Sequence, residues 1–264
     1  MKYAMNNSTN NWDAEVGAFK DSDNDASVHP QDGNSFAIMY NATSQARAES
    51  ISLELTNNWT PIGSVSPELP GTITGCTSSL EVNAHLAAYQ STRALDLIRL
   101  SWGWYLNNPK GTNSTFIEGY LADGTFGYRA TSGYEGDYSY TSHAHGWSSG
   151  PTYALSTYVV GIKLIAPGGK LWNLEPQFGD LKFAEGGFGT PLGKFWAGWK
   201  LVDGGYTYSF GTPSTTAGKL VLPVQNSLTK LVLDGVEVVG TFDAGRNVVF
   251  IDCEGGEHEL SITY

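Results

Sequence analysis

The chain has 264 residues, 26 Asp and Glu against 15 Lys and Arg for a formal net charge of −11, and only 16% charged but 12% aromatic residues. Such a charge excludes nucleic acid as a partner, because that affinity comes from Lys and Arg neutralising phosphates. No apolar run nears the ~20 residues that span a bilayer, so no membrane partner is expected, and the length suits one large or two ordinary domains, of which two is our reading.

In chain order, residues 1–161 read as helices joined by long loops rich in Gly and Pro. Asp32 in His29-Pro-Gln-Asp-Gly-Asn is a candidate cap for the helix that follows it, and Thr43-Ser-Gln-Ala-Arg-Ala-Glu-Ser-Ile-Ser-Leu-Glu-Leu carries an N-cap candidate ahead of helix-compatible spacing. Ser79–Tyr89 and Thr92–Tyr105 predict two helices with a short link, hence an antiparallel hairpin. Pro151, suited to a first helical turn, opens a last helix that runs to Gly161.

After Ile162 the pattern changes to short apolar runs split by Gly, Asp and Pro. Lys219-Leu-Val-Leu-Pro, Lys230-Leu-Val-Leu and Asn247-Val-Val-Phe-Ile-Asp read as strands, Asp234-Gly and Glu254-Gly-Gly-Glu as hairpin turns, and Phe195-Trp-Ala-Gly-Trp as an alternating strand. Residues 162–264 are therefore expected to form an antiparallel β-sandwich. Cys76 and Cys253 fall in different predicted domains and are expected to be two separate buried thiols.

Chemistry-bearing residues concentrate between Trp102 and Pro151. The run Trp102-Gly-Trp-Tyr-Leu-Asn-Asn-Pro leads to Glu118, and Ser142-His-Ala-His-Gly-Trp-Ser-Ser-Gly-Pro follows, which gathers a carboxylate, two imidazoles and several indoles in glycine-rich loops. Sugars stack their C–H faces on aromatic rings and need fixed polar groups for their hydroxyls, while acetal cleavage needs a carboxyl group alongside.

Ser101-Trp-Gly-Trp-Tyr-Leu, Ser114-Thr-Phe-Ile-Glu118 and His145-Gly-Trp-Ser-Ser-Gly-Pro resemble the C-terminal half of fungal α-L-rhamnosidases, whose catalytic domain is a six-hairpin (α/α) toroid. The similarity extends upstream to Phe19-Lys-Asp-Ser-Asp and His29-Pro-Gln-Asp-Gly-Asn, and downstream to Pro167-Gly-Gly-Lys and Gly186-Gly-Phe-Gly-Thr-Pro-Leu-Gly. It implies an α+β multidomain chain, with a partial (α/α) six-hairpin toroid over 1–161 followed by the antiparallel β-sandwich over 162–264. The family places its general acid in an Arg/Asp/Trp/Glu-rich segment of the toroid's first half. No such segment precedes Met1-Lys-Tyr-Ala here, so the chain is expected to be N-terminally truncated and inactive alone.

By this resemblance Glu118 is the general base of an inverting glycosidase, cleaving terminal α-L-rhamnosides of a rhamnose-containing glycoside or oligosaccharide without cofactor or metal. Gly119 beside it would permit close substrate approach. His145 would hydrogen-bond rhamnose hydroxyls, Trp147 would wall the subsite, Trp102 would line the pocket, and Arg129 and Tyr134 would reach toward substrate. Other readings of the same residues stand beside these. Glu118 could be a solvated glutamate at a helix start, His143 and His145 a metal pair or loop-packing residues, and Trp104 rather than Trp102 the pocket residue. Glu68, Glu81 and His85, the last two on one helix face at i and i+4, read either as inward-pointing polar groups or as solvated or capping ones, and Asp21, Asp23 and Asp25 receive no role. A non-catalytic sugar-binding protein displaying Trp172 or Trp199 is the rival from another class. A lyase of the toroid type, acting on acidic sugars, is disfavoured by the negative charge. Sequons at Asn7, Asn41, Asn58 and Asn113 fit a secreted glycoprotein or chance in an Asn-rich chain, and the first residues lack the pattern of a signal peptide.

Overall fold

The computed structural model describes residues 11–22, 27–129 and 133–264. Its contacts divide the chain into Met1–Thr152 and Tyr153–Tyr264, ahead of the predicted division after residue 161. Asn7, Asp23 and Asp25 lie outside the described residues.

In the first unit the short strands β1 (Trp12–Asp13) and β2 (Ala18–Phe19) pair antiparallel beside four helices: α1 (Gln31–Met39), α2 (Gln45–Leu55), α3 (Gly75–Ala87) and α4 (Ser91–Ile98). Phe19, Ile38, Ile51, Leu55 and Ala84 meet in their shared core. Helix α2 begins as its sequence suggests, with Ser44 Oγ accepting from the Arg47 N–H. The predicted hairpin is α3 and α4. Tyr89 turns left-handed at φ 59° after α3, its N–H bonding Leu86 O while that of Gln90 bonds His85 O, so the last carbonyls of α3 are satisfied and the chain reverses. Helix α4 then widens into a π-helical turn, Arg99–Gly103, before a final turn Trp104–Leu106.

Two polar expectations are corrected in this unit. Asp32 does not cap α1, since it sits inside the first turn. The Glu68 carboxylate, remote in sequence, accepts from the N–H groups of Gln31 (2.9 Å) and Asp32 (3.3 Å) instead, a negative group at a helix N-terminus. Glu81 and His85 are not solvated but fully buried on α3. Glu81 accepts from Trp59 Nε1 at 2.6 Å and Gln31 Nε2 at 2.5 Å, and lies 3.2 Å from His85 Nε2, so its burial is compensated by hydrogen bonds.

Strands β3 (Trp59–Thr60) and β4 (Gly63–Ser64) pair antiparallel, as do β5 (Thr72–Thr74) and β6 (Gly119–Leu121). The second pair matters most for function. It ties the residue after Glu118 to the strand that enters α3, through the Thr74↔Gly119 register and the Gly75 N–H to Glu118 O bond of 3.2 Å. Around it Ile73, Tyr105, Ile117 and Tyr120 form a second core against which Trp104 packs, its ring 4.4 Å from that of Tyr120.

The division of the chain falls within helix α5 (Gly150–Ala154), which continues as a π-helical turn, Leu155–Val159, as the Pro151 signal foretells. Gly161 ends it at φ 93°, where a Cβ would meet the Glu175 backbone at 2.6 Å, so only glycine fits. The rest of the second unit consists of strands β7 (Ile162–Leu164), β8 (Leu171–Leu174), β9 (Phe183–Thr190), β10 (Gly193–Val202), β11 (Gly205–Gly211), β12 (Ala217–Pro223), β13 (Lys230–Leu233), β14 (Val236–Val238), β15 (Thr241–Asp243), β16 (Val248–Glu254) and β17 (Glu257–Thr263). They form two sheets of a β-sandwich, ordered β14-β13-β17-β11-β10-β9 and β15-β16-β12-β8-β7.

The purely antiparallel expectation is corrected at one place, because β8 and β12 run parallel. Between them the chain crosses to the other sheet for β9, β10 and β11, and on returning it enters β12 in the direction of β8. Phe195, Trp199, Tyr206, Tyr208 and Phe210 fill the core from the larger sheet, Trp172, Leu174, Leu220 and Leu222 from the smaller. Trp172 and Trp199 are 1% and 2% exposed, so neither is a surface platform. Both indole N–H groups are satisfied inside, Trp172 on Thr216 Oγ1 at 2.9 Å and Trp199 on Val159 O at 2.7 Å. The two thiols are free but half-buried rather than buried, and burial pushes that of Cys253 up to about 11.

Candidate active site

Glu118 sits at the entry to β6, not at a helix start, and its half-buried carboxylate is held at both oxygens. The Tyr134 hydroxyl donates to Oε1 at 2.7 Å and the Ser142 N–H to Oε2 at 3.1 Å. The backbone repeats this link, with Glu118 N–H on Ser142 O at 2.8 Å. Each carboxylate oxygen keeps a second lone pair, so the group can still accept from a water while its orientation is set by two donors. Hydrogen bonding to Glu118 raises the pKa of Tyr134, and burial followed by the nearby Glu118 charge raises that of Tyr128, so both phenols stay protonated at ordinary pH.

Segment 142–148 lies along the Glu118 strand. The His145 N–H bonds Phe116 O at 2.8 Å, Thr115 Oγ1 donates to His143 O, and Ser148 Oγ donates to Ile117 O at 2.8 Å. The structure thus brings Glu118 together with the stretch that carries His145 and Trp147. His145 is half-buried, while Trp147 stands out at 76% exposure on the short turn Gly146–Ser148. His143 is fixed separately, its Nδ1 2.9 Å from the Tyr105 hydroxyl and its ring 5.0 Å from that of Phe126. Among the described residues no cluster of His, Cys, Asp and Glu suits a metal ion.

Trp102 donates its indole N–H to Ser148 O at 2.8 Å and borders, with Ser78, Ser101 and Tyr120, a small pocket of about 20 Å3. That is room for a water rather than a sugar. Arg129 is exposed, with its guanidinium 5.6 Å from the Tyr134 ring centroid, so it stands behind the residue that holds Glu118. Gly119 does not open a path for substrate. Its closest neighbours are internal, since a Cβ there would meet the Tyr128 ring at 2.6 Å and Ile73 O at 2.8 Å.

The Ser142 and Ser148 contacts escaped the sequence reading: the Ser142 contact uses a backbone N–H, which carries no side-chain signature, and those of Ser148 pair its Oγ and carbonyl with residues distant in the chain. One further arrangement imitates a catalytic triad. Ser52 Oγ lies 2.7 Å from His85 Nδ1, and His85 Nε2 lies 3.2 Å from Glu81, but all three residues are wholly buried, and Arg93 Nη1 also donates to Ser52 Oγ at 3.1 Å. A nucleophile that no substrate can touch is a structural group.

Comparison with known proteins finds a family model that matches part of the chain and solved structures that share its fold. Residues 161–232 match the family model of the bacterial α-L-rhamnosidase C-terminal domain. The structure of the Streptomyces avermitilis α-L-rhamnosidase complexed with L-rhamnose covers 88% of the chain at a TM-score of 0.64 and 15% identity. The chain has the fold of the C-terminal part of α-L-rhamnosidases. The Aspergillus terreus α-L-rhamnosidase agrees over 87% of the chain at a TM-score of 0.61 and 18% identity, and the Dictyoglumus thermophilum one over 89% at 0.62 and 13%. The rhamnosidase fold seen here spans 21%, 23% and 25% of the Streptomyces, Aspergillus and Dictyoglumus chains respectively. A comparison with curated protein sequences gives no match.

Proposed function

We propose that the chain supplies the water-activating part of an α-L-rhamnosidase active site, with Glu118 as general base. The observation that carries this reading is the carboxylate held by Tyr134 and Ser142 beside the segment of His145 and Trp147. In the reaction Glu118 takes a proton from water as the water oxygen bonds to the anomeric carbon. The glycosidic C–O bond breaks, and its oxygen receives a proton from a second carboxyl group. The product is inverted, which requires the two carboxyls to stand roughly 6.5–9.5 Å apart.

In this scheme His145 offers one donor and one acceptor to rhamnose hydroxyls, and Trp147 walls the subsite with its exposed ring. Trp102 sets the loop of Trp147 through Ser148, and Arg129 supports Tyr134. The helices of the first unit contribute to an (α/α) toroid, and the substrate is a rhamnose-containing glycoside. Exposed sequon residues Asn41 and Asn113 support a secreted, glycosylated protein.

Hydrolysis of 4-nitrophenyl α-L-rhamnoside by the polypeptide carrying this chain tests the assignment. Glu118→Gln is expected to lower turnover by about 10²–10⁴, the range of a general base, and the first sugar released is expected to be the β-anomer. An unchanged rate in Glu118→Gln, or release of the α-anomer first, would overturn it.

A further inference from the structure

The solvent face of the six-stranded sheet carries a trough of about 470 Å3, within the range of about 300–1,000 Å3 that small-molecule sites occupy. Its layout follows from strand register. Trp196 on β10 stands opposite Gly211 on β11, which stands opposite Glu257 on β17, and the next outward row is Gly198, Ser209 and Glu259. The row beyond is Lys200, Thr207, Ser261 and Val232, of which Ser261 and Val232 line the trough toward the Asp234-Gly235 turn.

The glycine at 211 makes the trough possible. A Cβ there would meet Trp196 Nε1 at 2.1 Å, so the indole lies over a bare backbone and reaches Glu257, donating to its Oε1 at 3.3 Å. Gly187 gives the same room on the other side, where a Cβ would meet the Trp196 Cβ at 2.8 Å. The ring is therefore fixed along the sheet and half-exposed, with serine hydroxyls beside it and carboxylates on its far rim.

This lining selects among ligand chemistries. It includes no Lys or Arg and three carboxylates, which repels phosphates and acidic sugars. The carboxylates are also partly committed to the protein. Asp234 takes His258 Nδ1 at 2.8 Å and the Glu259 N–H at 2.9 Å, and Glu257 holds the indole, so the rim is not a concentrated trap for a cation. An aromatic face beside hydroxyls and carboxylate acceptors suits a neutral polyol whose C–H face stacks while its hydroxyls donate.

We propose that this trough is a saccharide-binding site for neutral pyranosides, with Trp196 as the stacking platform and Glu259, Ser209 and Ser261 as hydroxyl partners. It does not rest on Glu118 acting as a base. It restores in a different place the surface indole that Trp172 and Trp199 do not provide.

The test follows the indole N–H signals of the 15N-labelled chain by NMR, that of Trp196 being the one lost in Trp196→Phe. Methyl α-L-rhamnoside, maltose and cellobiose serve as neutral probes, glucuronate as the anion and acetyl-lysine amide as the cation. At least one neutral probe is expected to move the Trp196 signal saturably, equally in wild type and Glu118→Gln. Glu259→Gln, which keeps the shape of the site, is expected to weaken that binding at least fivefold, and Trp196→Ala to abolish it. A Trp196 signal indifferent to all three neutral sugars overturns the proposal. So does a response confined to glucuronate or to the lysine amide, or an affinity unaltered in Glu259→Gln.

Discussion

Tyr134 donates its hydroxyl hydrogen to Glu118 Oε1 at 2.7 Å across a loop, and the bond raises the phenol's pKa above its ordinary value. A proton held more tightly in the folded site remains through neutral pH and leaves only as pH rises above the normal phenol range of ~10. Tyr134→Phe is expected to reduce rhamnoside hydrolysis about tenfold, the kinetic equivalent of one net hydrogen bond of ~1.4 kcal/mol, while leaving Tm unchanged because the residue is half-exposed. The wild-type rate should also fall above pH ~10 through loss of this donor. Wild-type kcat and the same alkaline limb in Tyr134→Phe would show that the phenol does not orient the base.

Glu81 joins the buried Gln31 and His85 and the half-buried Trp59 in one network. Glu81→Ala leaves the buried Gln31 amide and the half-buried Trp59 indole without their acceptor, at a cost of about 1–3 kcal/mol for the buried donor and less for the other, so the urea midpoint of the first unit should drop. Glu81→Gln keeps the volume and one acceptor oxygen and should lie between Ala and wild type. Equal midpoints for all three proteins would remove the network from the account of stability.

A Cβ at Gly119 would run into the Tyr128 ring and Ile73 O. A methyl there can displace the ring but not the carbonyl of a paired strand, so Gly119→Ala should destabilise by about 1–3 kcal/mol, as overpacking does. Because residue 119 adjoins Glu118, activity should fall together with the denaturation midpoint. Loss of activity at unchanged stability would point to substrate approach at Gly119 instead.

Tyr206 and Tyr208 are buried in the sandwich core, and burial raises both phenols well above the ordinary value. The unfolded chain releases these protons near pH ~10 while the folded chain retains them, so stability is full below that pH and declines as pH rises past it. Tyr208→Phe should flatten the decline at high pH. It should also lose about 1–2 kcal/mol at pH 7, because the hydroxyl bonds Val160 O at 2.9 Å. Identical slopes above pH ~10 for wild type and variant would count against this linkage.

Local signals proved readable where a single element settles the matter. Ser44 capping α2, the α3–α4 hairpin and Pro151 opening α5 follow from short-range chemistry, and the change to strands after Ile162 follows from a period that switches with the backbone. Polar groups were the least readable. Asp32 looked like the cap of α1 but Glu68 performs it, and the choice between inward and solvated readings of Glu81 and His85 stayed open because a lone sequence does not show Gln31, Trp59 and Ser52 arriving to satisfy them. Indoles misled for the same reason. The alternation in Phe195-Trp-Ala-Gly-Trp gives two faces without saying which is inner, and the core took Trp199 and left Trp196 at the surface.

Residue order alone determined that this protein has a helical part followed by a strand-rich part, with a carboxylate, an imidazole and indoles concentrated between residues 102 and 151. Those are matters of periodicity and chemical type, which neighbours along the chain express. Tertiary structure decided how Glu118 is held, which tryptophan faces water on the sandwich, and where β12 lies parallel to β8. Each depends on groups far apart in the chain meeting at hydrogen-bond or packing distance, and only folding brings them there.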